Sequence, residues 1–195
     1  KIHAGLVAVR LCDAGPLTYK RTRTGAAGID RVVEFVLKEH EVTAKLLDFS
    51  PYGYDERQFN SPGIAAPVGR LTRTPNSEYE EYHSSADNLE LVRPESLDES
   101  LRVLERVVTV LEGNGRYRNT APHCEPQLGK RGLYGSTGGT RPKEREHAML
   151  WVLSFSDARH SLLDISAKSG IDFDVVRAAA DDLLAADLLE ACKDD

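Results

Sequence analysis

An apolar run begins at the fifth residue. Gly5-Leu6-Val7-Ala8-Val9, extended to Leu11, predicts a buried strand that stops at Cys12-Asp13-Ala14-Gly15-Pro16 and leaves Asp13 at its carboxyl end. Thr18-Tyr19-Lys20-Arg21 predicts an edge strand. Gly28-Ile29-Asp30 opens a helix that runs to about His40, carried by Val32, Val33, Phe35, Val36 and Leu37. Ala44–Phe49 predicts a further strand. From Ser96 to Leu111 the apolar positions Leu101, Leu104, Val107, Val108 and Leu111 predict an amphipathic helix, with Ser96 as its cap and Glu99 three residues on.

Between these elements, residues 50–88 carry no sustained period. The segment holds Pro51, Pro62, Pro67 and Pro75, together with Gly53, Gly63 and Gly69. Its Tyr52, Tyr54, Phe59, Ile64, Val68 and Leu71 predict an ordered, functional loop. The carboxyl-terminal stretch returns to helical period over 144–154, 161–169 and 174–188, with a terminal strand at 188–192. Leu162–Gly170 followed by a second helix reads as helix-turn-helix, and three helices ending in a strand predict a winged-helix module.

Charge sharpens the division. The 195-residue chain has a net charge of −6, and residues 143–195 alone hold six Lys/Arg and twelve Asp/Glu. The body is neutral and the tail acidic, which places a domain boundary near Pro142: residues 1–142, then 143–195. Such a distribution offers no electrostatic footprint for nucleic acid. No apolar run is long enough for a membrane span or a signal segment, so no membrane partner is expected. Cys12, Cys124 and Cys192 are odd in number and widely spaced, which argues against a disulfide framework and fits a reducing, cytoplasmic setting. Lys1 at the start and Met149 as the only methionine suggest an incomplete chain.

Reactive residue types are densest in Asp55-Glu56-Arg57-Gln58 and in Glu78–Asn88. His83 has Asp87 four residues on, a spacing that allows the carboxylate to orient the imidazole or to cap backbone N–H groups. A His beside carboxylates is a candidate metal ligand. The competing reading is a solvated acidic loop with an incidental His. Ser84 and Ser85 adjoin His83, but sequence neighbours rarely form a Ser–His pair. Gly135–Arg141 is either an anion cradle or a plain linker, and Lys130 and Arg131 either contact a substrate carboxylate or phosphate or are simply solvated.

Taken together, these segments resemble a known family. Tyr82-His83-Ser84-Ser85-Ala86-Asp87-Asn88 is similar to the His-Thr-x-x-Asp segment of bacterial co-catalytic di-zinc aminopeptidases. Asp55-Glu56-Arg57-Gln58-Phe59-Asn60-Ser61-Pro62-Gly63 resembles a loop of an aminopeptidase-like subfamily that carries a carboxyl-terminal winged helix. The Asp13 turn and Glu125–Tyr134 resemble the same subfamily. The resemblance implies an α/β fold, a sheet flanked by helices, followed by the small helical winged-helix domain. It implies that Asp13 binds one zinc and His83 the other, with Asp55, Glu56, Arg57, Tyr82, Lys130 and Arg131 facing substrate.

The resemblance also implies that the remaining zinc ligands lie upstream of Lys1, in a missing amino-terminal segment or a partner chain. The expected activity is metal-dependent hydrolysis of an amide or peptide bond in a small-molecule or peptide substrate. In that chemistry paired zinc ions polarise the carbonyl and generate hydroxide near neutral pH. The alternatives are a non-catalytic interaction protein and a DNA-binding regulator. The acidic helix after Gly170 argues against the regulator and leaves docking or homo-oligomer formation as the tail's role.

Overall fold

The computed structural model describes residues 2–40, 43–76, 78–134 and 144–192. They form two compact units, one up to Leu111 and one from Glu112 onward. The division falls well before the composition break at Pro142. The strand that follows Gly113 pairs with strands of the tail, so backbone hydrogen bonding overrides the charge boundary. The candidate cradle or linker at 135–141 lies outside the described residues.

The first unit holds β1 (Gly5–Ala8), β2 (Leu17–Lys20), α1 (Gly28–Glu39), β3 (Ala44–Leu47), α2 (Glu56–Phe59), β4 (Val68–Thr72) and α3 (Pro94–Gly113), whose last turn crosses into the second unit. Its mixed sheet runs in the order β1-β4-β2-β3. β4 is parallel to β1 and antiparallel to β2, and β2 is parallel to β3. The fold class is the expected α/β sheet with flanking helices.

Every residue of β2 and β4 is buried. β2 is therefore an interior strand, where an edge strand was expected. β4 itself arises inside the segment read as a loop. Pro67 just before it, Gly69 within it and the charge of Arg70 hide its strand character. The register sets Tyr19 opposite Leu71 on one face, and Thr18 with Thr72 and Lys20 with Arg70 on the other. α1 covers the Tyr19 face with Ile29, Val32, Val33 and Val36. Residues 52–60 cover the Lys20 face through Glu56.

α3 buries a different stripe from the one expected. Ser100, Val103, Val107 and Val110 face inward, while Leu101 and Val108 are exposed. The cause is Arg73 at the end of β4. Its guanidinium donates to the carbonyls of Leu11, Gly15 and Ser96, to the Ser100 hydroxyl and to the Glu99 carboxylate. That requirement rotates Ser100 inward and turns Leu101 out.

In the second unit β5 (Arg116–Asn119), β6 (Asp157–Ser161) and β7 (Leu189–Ala191) form an antiparallel sheet in the order β6-β5-β7. It packs with α4 (Glu144–Phe155), α5 (Leu162–Ser169) and α6 (Phe173–Ala185). Ser161 and Asp164 cap α5 reciprocally, and Gly170 ends it with φ +71°. The short turn sends α6 back across α4, burying Met149, Val152, Phe173, Val176 and Leu183. Helix, strand, helix-turn-helix and closing strand make this the winged-helix region.

In the first unit's core Asp30 is a buried anion with a complete set of donors. Asp30, in α1, accepts from the Tyr19 hydroxyl at 2.8 Å, Thr22 N at 2.8 Å, Thr22 Oγ1 at 2.6 Å and Ala27 N at 2.9 Å. The same contact and burial push the Tyr19 phenol far above its ordinary pKa, burial being the larger cause. Removing the carboxylate strands buried donors, so Asp30→Ala is expected to lower stability by about 2–4 kcal/mol. Urea unfolding monitored by circular dichroism measures it, and a loss under about 0.5 kcal/mol, the range of ordinary surface changes, contradicts the role.

Candidate functional site

Asp13 sits in the turn after β1, which runs parallel to β4, and is 7% exposed. Its Oδ1 accepts from Gly15 N at 2.8 Å and from Thr74 Oγ1 at 2.7 Å. Its Oδ2 has longer contacts, to Thr74 N at 3.3 Å and to Arg10 Nη2 at 3.5 Å. Gly15 is required here, because a Cβ would come within 2.3 Å of Thr74 Oγ1 and 2.9 Å of Asp13 Oδ1. One carboxylate oxygen is thus fixed by short hydrogen bonds and the other is less fully engaged.

Arg10 links this turn to the His83 segment. It adopts a left-handed backbone, φ +50°, which is uncommon outside glycine. Its Nη1 donates to Asp87 Oδ2 at 3.0 Å, and its guanidinium carbon lies 3.4 Å from the centre of the Tyr79 ring. The Tyr79 hydroxyl donates to the same Asp87 oxygen at 3.1 Å. Tyr79 then meets Tyr82 edge-on at 5.5 Å, and Tyr82 stacks on His83 at 3.9 Å. Contacts therefore run unbroken from Asp13 through Arg10, Tyr79 and Tyr82 to His83.

Tyr79 and the nearby Tyr54 are both electrostatically perturbed. Loss of solvent, reinforced by the hydrogen bond to Asp87, pushes the Tyr79 phenol up to about 12. Tyr54 is also raised, chiefly by burial and then by its nearness to Tyr82, while Arg10 and Arg70 pull it the other way.

His83 is exposed, with φ +58°. Turns at Glu81–Ser84 and Ser84–Asp87 form in place of the helix start expected there. Asp87 consequently reaches Arg10 and Tyr79 instead of orienting the imidazole. Glu56 is fully buried and serves as counter-ion to Lys20 at 2.9 Å, so it is not presented to solvent as a substrate contact. Asp55 and Arg57, its neighbours in sequence, are exposed. In the second unit Lys130 is exposed, and Arg131 donates from Nη1 to the Ala186 carbonyl at 3.2 Å, just past α6.

Sequence reasoning missed Arg10 and Tyr79. Arg10 fell inside the strand predicted from Gly5 to Leu11 and carried no mark beyond its charge, and nothing marked Tyr79 among its neighbours. Among the described residues no group of three or more His, Cys, Asp or Glu side chains is placed to hold a metal. No helix among them is long and apolar enough to cross a membrane.

The fold finds counterparts among known proteins. Residues 1–114 match the family described as "Domain of unknown function (DUF4910)", and the chain belongs to that family. Residues 115–191 match the family described as "winged helix-turn-helix". A Clostridium acetobutylicum protein named "Putative polysaccharide biosynthesis protein with aminopeptidase-like domain" is 46% identical over 190 residues, 97% of this chain and 44% of that protein. A crystal structure of a protein from the same species, described as a "putative peptidase", superposes with a TM-score of 0.83 at 44% identity, covering 98% of this chain and 42% of that one. The chain thus spans less than half the length of each of these relatives.

The winged-helix region carries its second helix-turn-helix helix, α6, with Asp172, Asp174 and Asp181 on the exposed side. Asp182 accepts from Nε and Nη2 of Arg145, at 2.7 and 2.6 Å. Non-specific DNA affinity needs cations against phosphate, and this surface offers mainly carboxylates. The full chain is expected to give no gel shift with random duplex at low salt, and a clear, salt-sensitive shift would contradict this.

Proposed function

We propose that this chain is the carboxyl-terminal part of a metal-dependent, aminopeptidase-like hydrolase of an amide or peptide bond. In this reading Asp13 and His83 each contribute one ligand, to separate zinc ions. One observation carries it: Arg10 ties the Asp13 turn to the segment bearing His83, two stretches some seventy residues apart in sequence. The relatives' names, peptidase and aminopeptidase-like, support the same class.

The donor set in these residues is partial. Zinc takes three or four protein ligands, and the described residues offer no such group. By themselves they do not fit a pair of zinc ions, so the reading requires further ligands from elsewhere, and no catalytic step is written through the metal. What this chain supplies is positioning. Thr74 and Gly15 fix one oxygen of Asp13, Arg10 holds the neighbouring loop, and Tyr82 backs the His83 ring. Tyr82 and the exposed Asp55 and Arg57 are the proposed substrate contacts.

The test is zinc content, measured on the natural full-length gene product and on its Asp13→Asn and His83→Ala forms. Hydrolysis of an aminoacyl amide reporter is the second readout. Each substitution is expected to remove about one zinc per chain and to lower kcat/KM by at least about a hundredfold, whereas the 195-residue chain alone retains less than one zinc after dialysis. Unchanged zinc content in both substituted proteins would overturn the assignment.

A further inference from the structure

The Lys20 face of the first unit's sheet carries more positive charge than it balances. Lys20 and Arg70 stand directly opposite each other on β2 and β4, at 2% and 3% exposure. Like charges placed so are destabilising. Among the described residues one carboxylate lies between them, Glu56, 2.9 Å from Lys20 Nζ and 3.5 Å from Arg70 Nη1. Lys20 is well satisfied, since its Nζ also donates to the Tyr52 carbonyl at 2.7 Å. Glu56 is satisfied too, because its second oxygen accepts from Tyr54 N at 2.9 Å. The chain closes tightly over this pair at Gly53, where a Cβ would fall 2.1 Å from Glu56 Oε1 and 3.1 Å from Arg70 Nη1.

Arg70 is the group left short. Among the described residues, apart from the distant Glu56 oxygen, its Nη1 reaches only the neutral Asn76 Oδ1, at 3.3 Å. Its Nε is buried with no hydrogen-bond partner. Two residues along the same face of β4, the fully buried Thr72 hydroxyl also lacks a partner. The contrast with Arg73 is direct, for that buried guanidinium meets carbonyls, a hydroxyl and a carboxylate. A buried guanidinium with an idle donor and no full counter-charge is expensive unless an anion completes it. Tyr54, whose ring centre is 5.4 Å from the Arg70 guanidinium carbon, and Asn76 are both half-exposed and mark where an ion would enter.

We infer that this face is a binding site for a single anionic group, a carboxylate or a phosphate, held by Arg70 Nε and the Thr72 hydroxyl. Glu56 and Lys20 form its fixed, charge-neutral floor. Guanidinium suits both oxyanions because its planar fork matches their paired oxygens. The site stands on these buried groups alone and does not depend on the hydrolase reading.

Thermal unfolding of the full chain in phosphate, in acetate and in chloride at matched ionic strength tests it. Phosphate or acetate at ten times its Kd is expected to raise the midpoint by about 3–5 °C over chloride. A response to phosphate alone assigns a phosphate ligand, to acetate alone a carboxylate, and to both the shared oxyanion chemistry. Arg70→Met leaves the Lys20–Glu56 pair neutral, so it is expected to fold and to lose the increment. Thr72→Val is expected to weaken binding by about three- to tenfold. A phosphate titration of wild-type protein, following the Arg70 Nε–H resonance by NMR, needs no variant and is expected to show a saturable shift. Equal midpoints in all three salts together with an unmoved resonance, or an increment that survives in Arg70→Met, would overturn the site.

Discussion

Arg10 donates to Asp87 at 3.0 Å, lies 3.5 Å from Asp13 and covers the Tyr79 ring, so one guanidinium holds together two stretches that are far apart in sequence. Beside it, the turn after β1 and the irregular segment before α3 share a backbone hydrogen bond, from Arg93 N to the Cys12 carbonyl at 2.7 Å. The turn is fixed by Thr74 and Gly15, and the segment by its own local turns. The left-handed backbone at Arg10 carries a conformational cost, of the kind that persists where surrounding contacts over-determine it. Two carboxylates and an aromatic face are contacts of that sort.

The same physics recurs in the first unit, and its outcomes differ instructively. Asp30 and Arg73 are buried charges with nearly every hydrogen-bonding position taken, and each joins separate elements: Asp30 joins α1 to β2, and Arg73 joins β4 to the β1 turn and α3. Arg70 is buried as deeply and is not satisfied. Fully satisfied polar networks make a fold specific, whereas a buried donor without a partner calls for an explanation, which for Arg70 is the inferred anion.

Much of the architecture was legible in hydrophobic period. α1, β3, α5 and the start of α6 follow their apolar patterns closely, because each presents one face to one neighbour. What escaped was structure imposed by polar groups. β4 is interior yet contains Gly69 and Arg70, and its identity as a strand rests on pairing with β1 and β2. α3 is rotated away from its most leucine-rich face because Arg73 draws Ser100 inward. β5 and β6 are short and polar, and only the sheet they build makes them strands. In the candidate site Asp13 and His83 could be named from their segments. Arg10, which joins them, carries no local signal, since its partners are three and seventy-seven residues away.

The functional reading therefore depends on whether Arg10 couples the two segments energetically as well as geometrically. A double-mutant cycle on Arg10→Met and Asp87→Asn, read by urea unfolding of the full chain, measures that coupling directly. Arg10 is mostly buried and Asp87 half-exposed, so the expected interaction energy is about 1 kcal/mol, with the double variant no less stable than the Arg10 variant alone. Effects that add to within about 0.3 kcal/mol would contradict it, and would leave the segment bearing His83 held by its own turns and by the backbone hydrogen bond from Arg93 N to the Cys12 carbonyl.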